Sequence, residues 1–190
     1  MTSAVEMASN ALLLIGDDPI SAFTEPGAGA QAASNLYESV YTQFLSEHPW
    51  SFAFKEQFLN RLSQMPDSIT NYKYAYQVPT DVIRLWAVLD HSDYVIVGNL
   101  LYSNQSQLFA RYVYRVEETR LPPHAVQAIQ YKLASDFAIA VTEDANKNAL
   151  YERKYTSSLA RARNIDSQSR PQTPIIDSPF VDARMGGYFS

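Results

Sequence analysis

The sequence predicts an α+β protein with four helices, two on either side of a β-rich stretch at about 50–116, and an extended C-terminal tail. Three observations predict it. Apolar residues recur at helical spacing towards both ends of the chain, aromatic and β-branched residues alternate in the middle, and the last segment is rich in Pro and poor in apolar residues. A chain of 190 residues, 46% hydrophobic and 13% aromatic, can bury one proper core and fits one folded domain.

The first helix, about 3–15, opens on Ser3-x-x-Glu6, a capping box in which each side chain satisfies a backbone N–H of the other. Val5, Ala8, Leu12 and Ile15 form its apolar stripe, and Gly16 stands where a helix-ending glycine belongs. A loop with Pro19, Pro26 and two glycines leads to a second helix, about 30–47. Ala33, Leu36, Tyr37, Val40 and Phe44 give it a wide apolar face, and Pro49 stops it.

The middle reads as strands. Phe52, Phe54, Phe58 and Leu62 suit an extended segment, and Met65 to Ser68 a turn. Asn71 to Val78 alternates, with Tyr72, Tyr74 and Tyr76 on one side. Val82 to Leu89 is a further strand, Gly98-Asn99 joins Tyr94–Val97 to Leu100–Tyr102 as a hairpin, and Leu108 to Val116 is the strongest strand.

Pro122-Pro123 begin the third helix, about 122–143, with Ile129, Leu133, Phe137 and Ala140 as its buried stripe. The fourth, 145–165, buries Tyr151, Tyr155, Leu159 and Ala162. Its cations Arg153, Lys154, Arg161 and Arg163 favour the C-terminal half, which suits the helix dipole. The chain therefore divides into a body, 1–166, and a tail, 167–190. The tail holds Pro171, Pro174 and Pro179, with Ile175, Ile176, Phe180 and Val181 as apolar anchors. Such a segment is either disordered or laid extended on another surface.

Composition narrows the chemistry. No Cys is present, which excludes disulfides and thiolate sites. The N-terminus lacks the basic region of a signal peptide, and no apolar run approaches the roughly 20 residues of a membrane span, so a cytoplasm-like compartment is expected. Residues 1–95 carry 4 Lys and Arg against 11 Asp and Glu, a net −7, while residues 96–190 carry 11 against 9, a net +2. A chain-wide basic footprint for nucleic acid is missing.

His48, His91 and His124 each stand apart from any carboxylate at ligand or catalytic spacing. Asp17-Asp18, Glu117-Glu118 and Glu143-Asp144 read as caps and solvated loops, because adjacent residues do not face each other. Gly27-Ala28-Gly29 lacks the lysine and preceding strand of a phosphate loop. The residues point to no catalytic group, metal site or cofactor. The Tyr72, Tyr74, Tyr76 row could stack on bases, but Lys73 is its one cation, so core or protein-interface use is the better reading.

One further set of residues bears on the function. Ala11-Leu12-Leu13-Leu14-Ile15-Gly16 is followed by His48-Pro49-Trp50-Ser51-Phe52-Ala53, Tyr74-Ala75-Tyr76-Gln77-Val78-Pro79-x-Asp81, Leu121-Pro122-Pro123 and Ala160-Arg161-Ala162-Arg163. In these blocks, over about residues 1–170, the chain resembles the tail tubular protein A family, the head-to-tail adaptors of short-tailed bacteriophages. The resemblance implies a mainly helical bundle of four helices with a β-rich insertion between helices 2 and 3. It implies a non-enzymatic virion protein without cofactor, forming a homo-oligomeric ring, commonly of twelve copies. That ring would sit between the portal protein and the tail nozzle (tail tubular protein B). Double-stranded DNA would pass through it without specific binding and without membrane insertion. Assembly would take place in the host cytoplasm.

On that footing Tyr72, Tyr74, Tyr76 and Tyr94 would face the nozzle, and Ile175, Ile176, Phe180 and Val181 would dock the tail on the portal or a neighbour. Two other readings stay open: a nucleic-acid-binding module using the Tyr row, and a tail-associated hydrolase.

Overall fold

A computed structural model describes residues 2–63, 71–88 and 93–169. Along the described chain run α1 (Ala4–Ile15), α2 (Ala28–Ser46), β1 (Phe54–Phe58), β2 (Asn60–Arg61), β3 (Tyr74–Gln77), β4 (Val82–Val88), β5 (Tyr94–Val97), β6 (Leu100–Ser103), β7 (Phe109–Tyr114), α3 (Pro123–Ala140) and α4 (Ala145–Gln168). The turn expected at Met65 to Ser68 and the tail anchors Ile175, Ile176, Phe180 and Val181 lie outside the described residues.

Local chemistry sets the helix ends. Ser3 Oγ accepts from Glu6 N at 3.1 Å and Glu6 returns the bond to Ser3 N, while Gly16 closes α1 in the left-handed region at φ 82°. Pro122 caps α3 and Pro123 occupies its first turn. Asp144 caps α4 by accepting from Asn146 N and Lys147 N. Gly29 lies inside α2 against α1: a Cβ there would stand 3.2 Å from both Leu12 methyls and 2.6 Å from Asp17 Oδ2. Gly27 stands at the N-cap of α2, and Gly29, within the helix, serves close packing against α1.

The expected mainly helical bundle carrying a β-rich insertion is corrected. The described chain is α+β, with four helices and two antiparallel sheets holding seven strands. One sheet has the order β1-β7-β4 and the other β2-β3-β6-β5. The first sheet is a wall of the main core rather than an appendage. β1 and β7, at the two ends of the β stretch, pair from Phe54↔Val113 to Phe58↔Phe109. That pairing carries Ala53, Val113 and Val116 into the cluster of Met7, Leu12, Phe44, Ile129 and Phe137 contributed by α1, α2 and α3. Burial of this shared apolar surface couples helices and sheet, since neither layer can dry its inner face alone.

A second, smaller core lies between the sheets. Leu59, Tyr76, Leu101, Leu108 and Ala110 are buried there, with Leu85 and Val88 of β4 packed against them. β7 serves both cores: Val113 faces the helices and Ala110 the second sheet. Alternation along a strand allows this, because residues of opposite parity point to opposite faces. Register shifts at Val82/Arg84 and Leu85/Ala87 bend β4 along the shared wall.

Candidate functional site

The junction Glu47–Ala53 links α2 to β1, and most of its side chains are anchored elsewhere in the fold. Pro49 stops α2, and Trp50 turns inward, fully buried, with Nε1 donating to Phe44 O at 3.0 Å. Glu47 accepts from Tyr155 Oη at 2.8 Å and Arg163 Nη2 at 3.1 Å, both on α4. Ser51 donates to Asp166, near the end of α4, through its amide at 2.9 Å and its hydroxyl at 2.6 Å. His48 Nε2 lies 3.4 Å from the same carboxylate, which is 2% exposed. The sequence shows no carboxylate at catalytic or ligand spacing from His48; the fold brings one from 118 positions further along the chain. No local pattern announces that contact.

This grouping braces the junction. An activated serine hands its proton to an imidazole, whereas Ser51 donates to a carboxylate. Asp166 also acts on His124, at the start of α3. Burial pushes the His124 imidazole below its ordinary range, and the Asp166 charge offsets part of that. Protonation is therefore easier in the unfolded chain than in the folded one. Stability is full above about pH 6.5 and falls as pH drops through that value. Urea titrations at stepped pH should show this slope, and His124→Gln should flatten it between about pH 5 and 6.5. An unchanged slope would remove His124 as its source.

A second network ties α2 to the end of β7. Arg115 pairs with Glu38 at 2.7 Å and Glu118 at 2.7 Å, and its guanidinium stacks over Tyr41 at 4.6 Å. Tyr41 Oη donates to Val116 O at 2.8 Å. Burial alone would raise the Glu118 carboxyl, but the Arg115 hydrogen bonds hold it below its usual range. Burial and the Glu118 charge push the Tyr37 phenol up. Glu118, expected in a solvated loop, is thus half of an anchored ion pair.

The four tyrosines offered as an interaction row do not share one environment. Tyr76 is fully buried in the second core, its hydroxyl donating to Gln105 O. Tyr74 is half-buried beneath the Arg61 guanidinium at 5.1 Å. Tyr72 precedes β3 and is half-buried, while Tyr94, on the outer strand β5, is 41% exposed. Tyr76 has no free ring face for a base to stack on.

Exposed apolar side chains include Phe58 of β1 and Trp86 of β4, 64% and 45% exposed, and two further places stand out. Leu13, Leu14, Ile139 and Leu150 are exposed at the end of the helical layer where α1 stops and α3 turns into α4. Lys147 and Tyr151 fix that arrangement by donating to Ile15 O and Leu14 O. The second place is β5, the outer strand of its sheet, with Tyr94, Ile96 and Val97 at least 41% exposed. The sequence read Leu13 and Leu14 as part of an apolar run; their outward orientation depends on how α1 packs against α3. Among the described residues no group of acidic, His or Cys side chains could hold a metal ion, and no helix is long and apolar enough to cross a membrane. A scan against protein-family models finds no match, and a search of curated proteins finds none either.

Proposed function

We propose that this chain is a virion structural protein: a head-to-tail adaptor that assembles as a ring between portal and tail nozzle and continues the DNA channel. The observation that carries the reading is that large apolar side chains stay exposed on both the helical layer and the sheets, the end of the helical layer and β5 among them. A ring built by rotation needs two different, complementary patches on each copy, and large aliphatic groups left in water favour burial against a partner. The end of the helical layer and the outer strand β5 are two such patches on different elements. The sequence blocks shared with the tail tubular protein A family supply the identity of the assembly. The network at Glu47–Ser51 supports the same reading, because it stiffens the joint between helices and sheets.

Leu13→Glu combined with Leu150→Glu tests the helical patch. Both residues are about half exposed, so the variant should keep its fold, within about 1 kcal/mol of wild type. It should lose assembly with neighbours on the portal, measured by sedimentation. Undiminished assembly would show that this patch is not an interface.

A further inference from the structure

We infer that the groove between α3 and α4 is a seat for the phosphates of a nucleic-acid backbone, separate from the tyrosine row and independent of the ring reading. Six residues line a cavity of about 290 Å³: Gln127 and Tyr131 from α3, and Lys154, Ser157, Ser158 and Arg161 from α4. They bring two cations, three hydroxyls and an amide, and no carboxylate. That donor set suits phosphate oxygens, which accept several hydrogen bonds and carry full negative charge.

Charge is concentrated here against the trend of the chain. The protein is −5 overall, whereas α4 holds Lys147, Arg153, Lys154, Arg161 and Arg163 against Glu152 and Asp166, a net +3. Two of the other α4 cations are spent within the fold: Lys147 donates to Ile15 O, and Arg163 pairs with Glu47. Lys154 and Arg161 make no ion pair among the described residues. Lys154 instead rests beside the faces of Tyr151 at 4.8 Å and Tyr131 at 5.8 Å, which orient the ammonium without neutralising it.

Spacing favours an extended polyanion over a single phosphate. Arg161 follows Lys154 by seven positions, a rise of about 10 Å along α4. Phosphates on one strand of duplex DNA advance by about 3.4 Å each along the axis, so two cations at this distance meet phosphates about three steps apart. Such contacts fix position and carry no sequence information.

The test is fluorescence anisotropy of a short labelled DNA duplex with the full chain, titrated at several salt concentrations from about 50 mM upward. Binding should weaken with salt. Lys154→Ala with Arg161→Ala should reduce affinity at least tenfold at about 50 mM salt and lower the log–log salt slope by about 2, one per cation removed. Lys73→Ala, exposed just ahead of β3 and outside the groove, should change neither. Circular dichroism checks that the variants, altered only at exposed positions, remain folded. The proposal is overturned by absence of duplex binding at about 50 mM salt, by an unchanged slope in the double variant, or by an equal effect of Lys73→Ala. Binding of inorganic phosphate without binding of the duplex overturns it too.

Discussion

Trp50→Ala should destabilise the protein by about 4 kcal/mol, the largest effect expected of any single substitution here. Trp50 is fully buried, stacks on Phe44 with centroids 4.7 Å apart and on Phe52 at 5.5 Å, and meets the His48 ring edge-on at 4.8 Å. Removal of the indole leaves a cavity between α2, the junction and the first sheet. It also strips the Phe44 carbonyl, in the last turn of α2, of its indole donor. Trp50→Phe separates the two causes. It keeps most of the apolar contact and loses the N–H, so it should cost about 1–2 kcal/mol. With total stabilities of about 5–15 kcal/mol for domains of this kind, the alanine variant should show a lower urea midpoint with an unchanged slope. A midpoint within experimental error of wild type would mean that Trp50 is not a keystone between the layers.

Asp166→Ala should cost about 3 kcal/mol, for a different reason. The carboxylate is almost wholly buried and accepts from Ser51 N and Ser51 Oγ, with His48 Nε2 3.4 Å away. Its loss leaves the part-buried Ser51 amide and hydroxyl without their acceptor and empties a buried carboxylate site. Asp166→Asn preserves the shape and one acceptor oxygen, so it should recover about half of the loss. Ser51→Ala tests the coupling. In a double-mutant cycle the two changes should be non-additive by about 1 kcal/mol or more, because they remove the same bond. Additive effects would show that Ser51 and Asp166 act independently.

The helices were largely legible because their signals are local. Ser3 with Glu6, Gly16, Pro49 and Pro122-Pro123 all act within a turn or two; α1 begins and ends, α2 ends and α3 begins close to them. α4 runs on to Gln168, past the point where composition changes, because a helix ends where its hydrogen bonds end rather than where its apolar stripe does. The strands near 74–77, 82–88 and 109–114 were legible by alternation. Their partners were not. Phe54 finds Val113 and Tyr76 finds Leu101 across long loops, and pairing depends on which faces can be buried together. A single β-rich insertion was therefore expected where two sheets enclose a core of their own. The same limit hid the fate of Tyr76: period two shows that it shares a face with Tyr74, not that the first sheet packs over it. The contact of Asp166 with the junction was illegible for the reason that hid the pairings, since it joins segments far apart in sequence, and the α3–α4 groove depends on how two neighbouring helices pack.

The measurement that bears most directly on the proposed function is the mass of the purified chain, alone and mixed with the portal protein of a short-tailed phage from the same source. An adaptor should form a large complex of fixed stoichiometry with the portal, seen as a ring coaxial with it by electron microscopy. A chain that stays monomeric and ignores the portal at concentrations well above those of virion assembly would contradict the adaptor reading.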